Sequence, residues 1–430
     1  MRNQTLHAIK PALNLLAAFA LLSLTACGGG GDDAPNVDET PFLNLTNFQA
    51  ASVVIGQANF TDNAGNQGGT VDANTTSTNE GNPGVANGIL YLPDTINHRL
   101  LGFNTIPTMN DENADFALGQ TDLISNNSGT SATEFDNPMT VAFDGGKMFM
   151  AEYNNNRVLI WNTIPTAGNI PADVVVGHAD LTTSFTGPCE NTSLDTPEGM
   201  WAVNGKLIVA DTSGNRVLIW NSIPTTNNVQ ADIVLGQNSF TMCQSNDDNQ
   251  DGIADSTPSA RTLRSPRAVW SDGQRLAVVD FFNNRVLIWN SFPTASFTPA
   301  DVVLGQSDFT HSTANDDNQD DAIDSTPSAR TLGGPRTGVY SNGQQLFVAD
   351  TDNNRVLIWN SFPTANFTPA DVVLGQGDFT HKTRNDLDQD GTEDGQASAQ
   401  TLNGPSGISQ SGNQLIVADG NNNRYLIFNE

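Results

Sequence analysis

Three stretches set oxygen side chains at intervals that suit a cation: DDNQDGIAD (247–255), DDNQDDAID (316–324) and DLDQDGTED (386–394). Places one, three, five and nine carry Asp247, Asn249, Asp251 and Asp255 in the first, and Asp316, Asn318, Asp320 and Asp324 in the second. In the third they carry Asp386, Asp388, Asp390 and Asp394. Calcium takes six to eight oxygens from a sharply turned loop, and Gly at place six permits the turn. Gly252 and Gly391 stand there; Asp321 replaces them in the middle copy. The chemistry expected is structural Ca²⁺ binding. A second group is Arg267, Arg336 and Glu198, each directly after a Pro. Paired guanidinium forks grip carboxylates, so these three are candidate ligand-binding residues. Cys189 and Cys243 are a candidate disulfide for an exported chain. His98, His178, His311 and His381 show no metal-binding spacing, and no Gly-x-Ser-x-Gly elbow appears, so no catalytic residue is assigned.

The elements that must position these groups come from a repeat. NRVLIWN occurs at 156–162, 215–221, 284–290 and 354–360, with variants HRLLGFN (98–104) and NRYLIFN (423–429). The repeated Arg falls at 99, 157, 216, 285, 355 and 424. Each unit has a Pro-led start, an apolar run ending in an acid, the NNR hairpin, and a strand such as ADVVLGQ. The runs are short, rich in Val and Ile, and bounded by Gly, Pro and Asn, so they are strands. In RVLIW the period of two sends Val and Ile one way and Leu and Trp the other. Four strands per unit and six units predict an all-β, six-bladed β-propeller.

The units are out of phase at the ends. SVVIGQ (52–57) comes before any hairpin, and NRYLIFN has no VVLGQ after it. The N-terminal strand is therefore expected to complete the last blade, which closes the ring and hides a sheet edge. An acid stands five residues before each Arg: Asp94/Arg99, Glu152/Arg157, Asp211/Arg216, Asp280/Arg285, Asp350/Arg355 and Asp419/Arg424. Each pair reads as a bidentate clamp across a hairpin, and Trp161, Trp220, Trp289 and Trp359 as packing anchors. Residues 284–311 and 354–381 differ at two positions and look like a duplication.

VADTDNNRVLIWN (348–360) resembles the NHL repeat, and all six units, spanning 43–430, share the pattern. The resemblance implies an NHL-like six-bladed propeller. Such propellers serve unrelated functions, so fold alone says little about chemistry. Because NHL-type propellers include lyases and related propellers include lactonases, it also implies an alternative: a metal-dependent lyase or lactonase acting at the central channel. The acidic stretches resemble the DxDxDG loops of thrombospondin type 3 and dockerin modules, and depart from an EF-hand in having no Glu at place twelve.

Residues 1–26 resemble a bacterial lipoprotein signal: Arg2 and Lys10, then ALNLLAAFALLSL, then Leu24-Thr25-Ala26-Cys27. This implies cleavage before Cys27 and lipidation of its thiol. Residues 27–42 follow as a lipidated Cys and flexible tether, and Gly28 favours the outer membrane of a bacterial envelope. The net charge of −29 opposes nucleic-acid binding, which needs a basic footprint, and attracts divalent cations. The function expected is a lipid-anchored binding or scaffold propeller, monomeric and calcium-stabilised. It would engage a protein, glycan or peptide through its acidic loops.

Overall fold

The computed structural model describes Met1, residues 40–78 and residues 80–430. Cys27, the signal segment and most of the tether lie outside the described residues. From Thr40 onward the chain forms six four-stranded antiparallel sheets in a ring, a six-bladed β-propeller.

Blade 3 shows why the repeat folds as it does. Its strands are Pro197–Val203, Lys206–Asp211, Arg216–Trp220 and Ile233–Leu235, from the axis outward. In the third strand the alternation in RVLIW sorts side chains between two cores. Leu218 and Trp220 pack towards blade 2, and Val217 and Ile219 towards blade 4. Every strand thus buries both faces, which is why the runs carry no polar alternation. The four repeated Trp residues are at most 2% exposed. Each indole donates to a carbonyl nine residues on: Ile170, Val229, Thr298 and Thr368.

Closure follows the expected permutation. Val53–Ile55 is the outer strand of blade 6, pairing Val53 with Ile427, Val54 with Leu426 and Ile55 with Tyr425. The outer strands are also sealed from outside. In blade 3, Val234 N–H donates to Ser296 Oγ, and its carbonyl accepts from Phe297, both in the next blade's outer loop. Blade 5 receives the same two bonds from Asn47 and Phe48 of the N-terminal segment. That segment therefore supplies a strand to blade 6 and an edge cap to blade 5. Its start is tied down too: the Pro41 carbonyl accepts from Asn342 and Gln410.

The acid–Arg pairs hold the blades differently from a bidentate clamp. Arg285 Nε donates to Asp280 Oδ2 at 2.8 Å, and its terminal nitrogens go to backbone carbonyls. One is Phe309, 24 residues ahead; the others are Ser259 and Thr262, in the loop entering the blade. All six arginines repeat this arrangement with both partners buried. A monodentate ion pair frees the remaining donors to staple two loops of irregular backbone.

Candidate functional site

The three acidic loops leave the outer strands on one face and share one geometry. Asp247, Asp316 and Asp386 are at most 1% exposed. Each accepts two backbone N–H groups, from the residues at places five and six: 251 and 252, 320 and 321, 390 and 391, at 2.8–3.2 Å. Gly252, Asp321 and Gly391 all have left-handed φ, of 83°, 66° and 86°; Asp is among the few non-Gly residues that accept this. The preceding Asn anchors each loop to its blade. Asn246, Asn315 and Asn385 exchange amide hydrogen bonds with Asn283, Asn353 and Asn422, which also donate to Asp280, Asp350 and Asp419. The loops are thus continuous with the arginine staples.

The donor set fits a hard cation. Asp386, Asp388 and Asp394 each bring a carboxylate oxygen within 4.8 Å of the others, the separation expected of oxygens about 2.4 Å from one calcium ion. Each oxygen of Asp386 that accepts an N–H keeps a second lone pair. In the other two loops Asn249 and Asn318 stand at place three, where an amide oxygen substitutes for the carboxylate. In place of such clustering, the histidines have separate partners. His98 pairs with Asp136, His311 with Asp308 and His381 with Asp378. His178 Nε2 lies 2.9 Å from the Asn155 carbonyl, standing where Gln57, Gln120, Gln237, Gln306 and Gln376 stand in the other blades.

The same face carries the mouth of the ring, and here the candidate ligand residues meet. Glu198 Oε2 lies 3.3 Å from Arg267 Nη1. The Arg267 guanidinium sits 3.9 Å over the Phe281 ring, and that of Arg336 lies 5.8 Å from the same ring. Arg336 faces Glu80 at 3.9 Å. Glu198 Oε2 and the Nε atoms of Arg267 and Arg336 are buried without a hydrogen-bond partner. Burial pushes the Glu198 carboxyl up to about 7; Arg267 and Arg336 pull it down, and Glu80 adds to the rise. Asp352 is also held above the usual carboxylate range, by burial first.

Below this crater the axis is bridged rather than open. Thr337 of blade 5 donates to the Glu80 carbonyl and accepts from Asn82, both from blade 1. A Cβ on Gly199 would collide with the Arg267 carbonyl, so the inner strands touch there. Nearer the opposite face, Trp201 of blade 3 meets Tyr340 of blade 5, with ring centroids 6.3 Å apart. The candidate site is therefore a shallow charged crater.

Sequence reasoning missed Glu80, Phe281 and Asp352. Glu80 precedes an inner strand, Gly84–Ala86, of only three residues, and nothing in its type announces that it hangs over the mouth. Phe281 carried a signal. The place after the hairpin acid is Thr in blades 1, 3 and 5, where the hydroxyl donates to the next blade's Pro carbonyl; it is aromatic only in blades 2 and 4, as Tyr153 and Phe281. On the flank of the loop face, Cys189 and Cys243 form a disulfide with Cα atoms 6.5 Å apart, joining successive blade-to-blade loops.

Six four-stranded sheets closed by the N-terminal strand define the class: a six-bladed β-propeller. No family model matches the sequence, and no curated protein matches it. Solved structures resemble it in architecture. An auxiliary nutrient binding protein from Bacteroides thetaiotaomicron is 12% identical, with a TM-score of 0.44, over 85% of this chain and 75% of that one. Virginiamycin B lyase from Staphylococcus aureus is 11% identical, with a TM-score of 0.39, over 83% and 97%. The computationally designed Ika8 protein is 7% identical, with a TM-score of 0.36, over 82% and 71%.

Proposed function

We propose that this chain is an NHL-type binding propeller, held in a bacterial cell envelope by a lipid on Cys27, with the outer membrane as its site. It works as a monomer and engages a protein, glycan or peptide through the face that carries the crater and the acidic loops. Calcium in the loops at 247–255, 316–324 and 386–394 orders that face. The observation that carries the reading is the crater itself: Glu198, Arg267 and Arg336 converge there, and beyond the 3.3 Å ion pair of Glu198 with Arg267, Glu198 Oε2 and both Nε atoms are buried without a hydrogen-bond partner. Such atoms are costly unless a ligand or water completes them.

The test has two arms. Peptide and glycan arrays are probed with the mature protein and with Arg267→Ala plus Arg336→Ala; hits should appear and vanish in the double variant. No hits, or hits the variant retains, reject the crater. Thermal unfolding with calcium, magnesium or chelator at matched ionic strength tests the loops. At a hundredfold excess over Kd, each site adds about 2.7 kcal/mol, or about 3 °C in a chain of this size. Asp388→Ala with Asp390→Ala should remove one such increment. Equal effects of magnesium, or no loss in the variant, leave the loops as solvated acid.

A second reading, a lyase or lactonase at the mouth, draws support from Glu198, whose carboxyl titrates near neutrality as a general acid–base group must. Among the described residues the one group of three His, Cys, Asp or Glu close enough to hold a metal is in the loop at 386–394, away from the mouth. Turnover of lactone or ester substrates that Glu198→Gln abolishes would favour this second reading.

A further inference from the structure

Beside the crater, between blades 5 and 6, lies a cavity of about 260 Å³ that includes Glu80, Arg336, Asp352, Arg384, Asn403 and Asn421 in its lining. Its charges are of both signs and poorly matched to one another. Arg336 approaches Glu80 only to 3.9 Å, and its Nε has no hydrogen-bond partner. Arg384 reaches in beside the acidic loop, its Nε 2.9 Å from Glu393 Oε2. Among the described residues no hydrogen bond reaches the Asp352 carboxylate; burial raises it, and Arg336, which shares the cavity, pulls it down. Asn421 donates to Asn403 Oδ1 at 3.2 Å, and both residues line the cavity.

A ligand entering this cavity must answer both signs. A simple anion would gain from Arg336 and Arg384 but meet Asp352 and Glu80. A simple cation would meet the reverse. A neutral ligand would take four charges out of water without neutralising any, which is costly. Only a molecule with a cation and an anion a few bonds apart gains at both ends, and the volume limits it to a small one. We infer that the cavity binds a zwitterionic ligand of amino-acid or short-peptide type, its carboxylate on Arg336 and its ammonium on Asp352. The planar guanidinium offers the carboxylate two parallel N–H groups. Glu80 and Asp352 flank the ammonium, and Asn403 and Asn421 provide a donor and an acceptor for a peptide bond. This deepens the binding reading above and depends on it.

The experiment is titration calorimetry of the mature protein, in calcium, with Ala-Ala, N-acetyl-Ala-Ala, Ala-Ala amide and inorganic phosphate. Ala-Ala should bind, and each singly blocked peptide and phosphate should bind at least tenfold more weakly. Arg336→Gln and Asp352→Asn, which keep shape and remove charge, should each weaken Ala-Ala at least tenfold with unchanged melting temperatures. Arg336→Gln should penalise the amide, which lacks the carboxylate, much less than the free peptide. No binding of Ala-Ala, equal binding of the blocked forms, or indifference to both substitutions overturns the assignment. Should array ligands still require Arg267 and Arg336 in that case, only the ligand class is wrong; should they not, the binding crater falls with it.

Discussion

Replacing Arg285 by Met tests what holds the blades together. Met keeps much of the side chain's bulk and removes every donor. In the native protein Arg285 is fully buried and donates to Asp280 at 2.8 Å, Phe309 at 2.6 Å, and Ser259 and Thr262 at 3.0 Å each. The variant leaves Asp280 buried and charged, with only the Arg264 N–H and the Asn283 amide as partners. Breaking one side of a buried ion pair costs about 3–5 kcal/mol. Three carbonyls also lose a donor, and those that water cannot reach add about 1 kcal/mol each. The expected loss is about 4–6 kcal/mol, the low end applying where water enters the loops. Adding Asp280→Asn removes the stranded charge, so the double variant should recover at least about 2 kcal/mol against the sum of the singles. The assay is reversible urea unfolding followed by tryptophan fluorescence, with ΔΔG taken from midpoints at a shared slope. A loss below about 1 kcal/mol, or additivity in the cycle, would refute the staple as a stabilising element.

The remaining expectations concern closure, the crater acid and the disulfide. Deleting residues 43–60 removes Val53, Val54 and Ile55, all at most 3% exposed, along with the Phe60 carbonyl that Arg424 grips. Those three side chains alone contribute about 5 kcal/mol, so cooperative unfolding should weaken sharply; an unchanged melting temperature would sink the closure argument. Glu198 titrates at about 7 when folded against an ordinary 4.5, so between those values the folded state binds the extra proton and stability falls as pH rises. Glu198→Gln should therefore gain about 3 kcal/mol relative to wild type between pH 4 and pH 8, and a pH-independent difference in urea unfolding would remove the case for a raised carboxyl. The Cys189–Cys243 bond spans 54 residues, for about 4 kcal/mol on the chain-entropy model; two alkylatable thiols in unreduced intact protein would dispose of it.

The architecture was legible because its determinants are local and repeated. The alternation in RVLIW sorts side chains onto two inter-blade cores, and the phase of SVVIGQ against NRYLIFN dictates closure. The arginine's wider role was not legible, although its spacing is regular. Phe309 lies 24 residues after Arg285, and Phe379 lies 24 after Arg355. The acceptor in each case is a backbone carbonyl, which leaves no mark on residue type. The Asn before each acidic loop is constant in type, yet in an Asn-rich chain it stands out only once Asn283, Asn353 and Asn422 are seen facing it. At the mouth, Arg267, Arg336 and Glu198 were legible as departures at one repeated place. Glu80 and Asp352 were not: Glu80 precedes the short inner strand of blade 1, and Asp352 sits in the hairpin turn of blade 5, where the repeat tolerates many residue types. Blade 5's inner strand, Val339–Ser341, starts four residues past Pro335, whereas blades 2, 3, 4 and 6 begin theirs at the Pro.

Blades 4 and 5 put the two rim arginines in different settings. Arg267 and Arg336 follow equivalent prolines in neighbouring repeats, just ahead of the nearly identical stretches 284–311 and 354–381. In blade 4 the residue after the hairpin acid is Phe281, and Arg267 lies flat on it at 3.9 Å with Glu198 at 3.3 Å. In blade 5 the equivalent residue is Thr351, whose hydroxyl is spent on the Pro405 carbonyl. Arg336 finds no ring of its own there, lies 5.8 Å from Phe281, and meets its acid only at 3.9 Å. Its side chain is 34% exposed against 19% for Arg267. A stacked, paired guanidinium is already neutralised and mainly shapes the crater. A looser one keeps donors for an incoming carboxylate. Substituting Thr351→Phe should therefore draw Arg336 onto a ring and weaken ligand binding while leaving the skeleton intact; a variant that binds array ligands as wild type does would show that the looseness of Arg336 has no bearing on recognition.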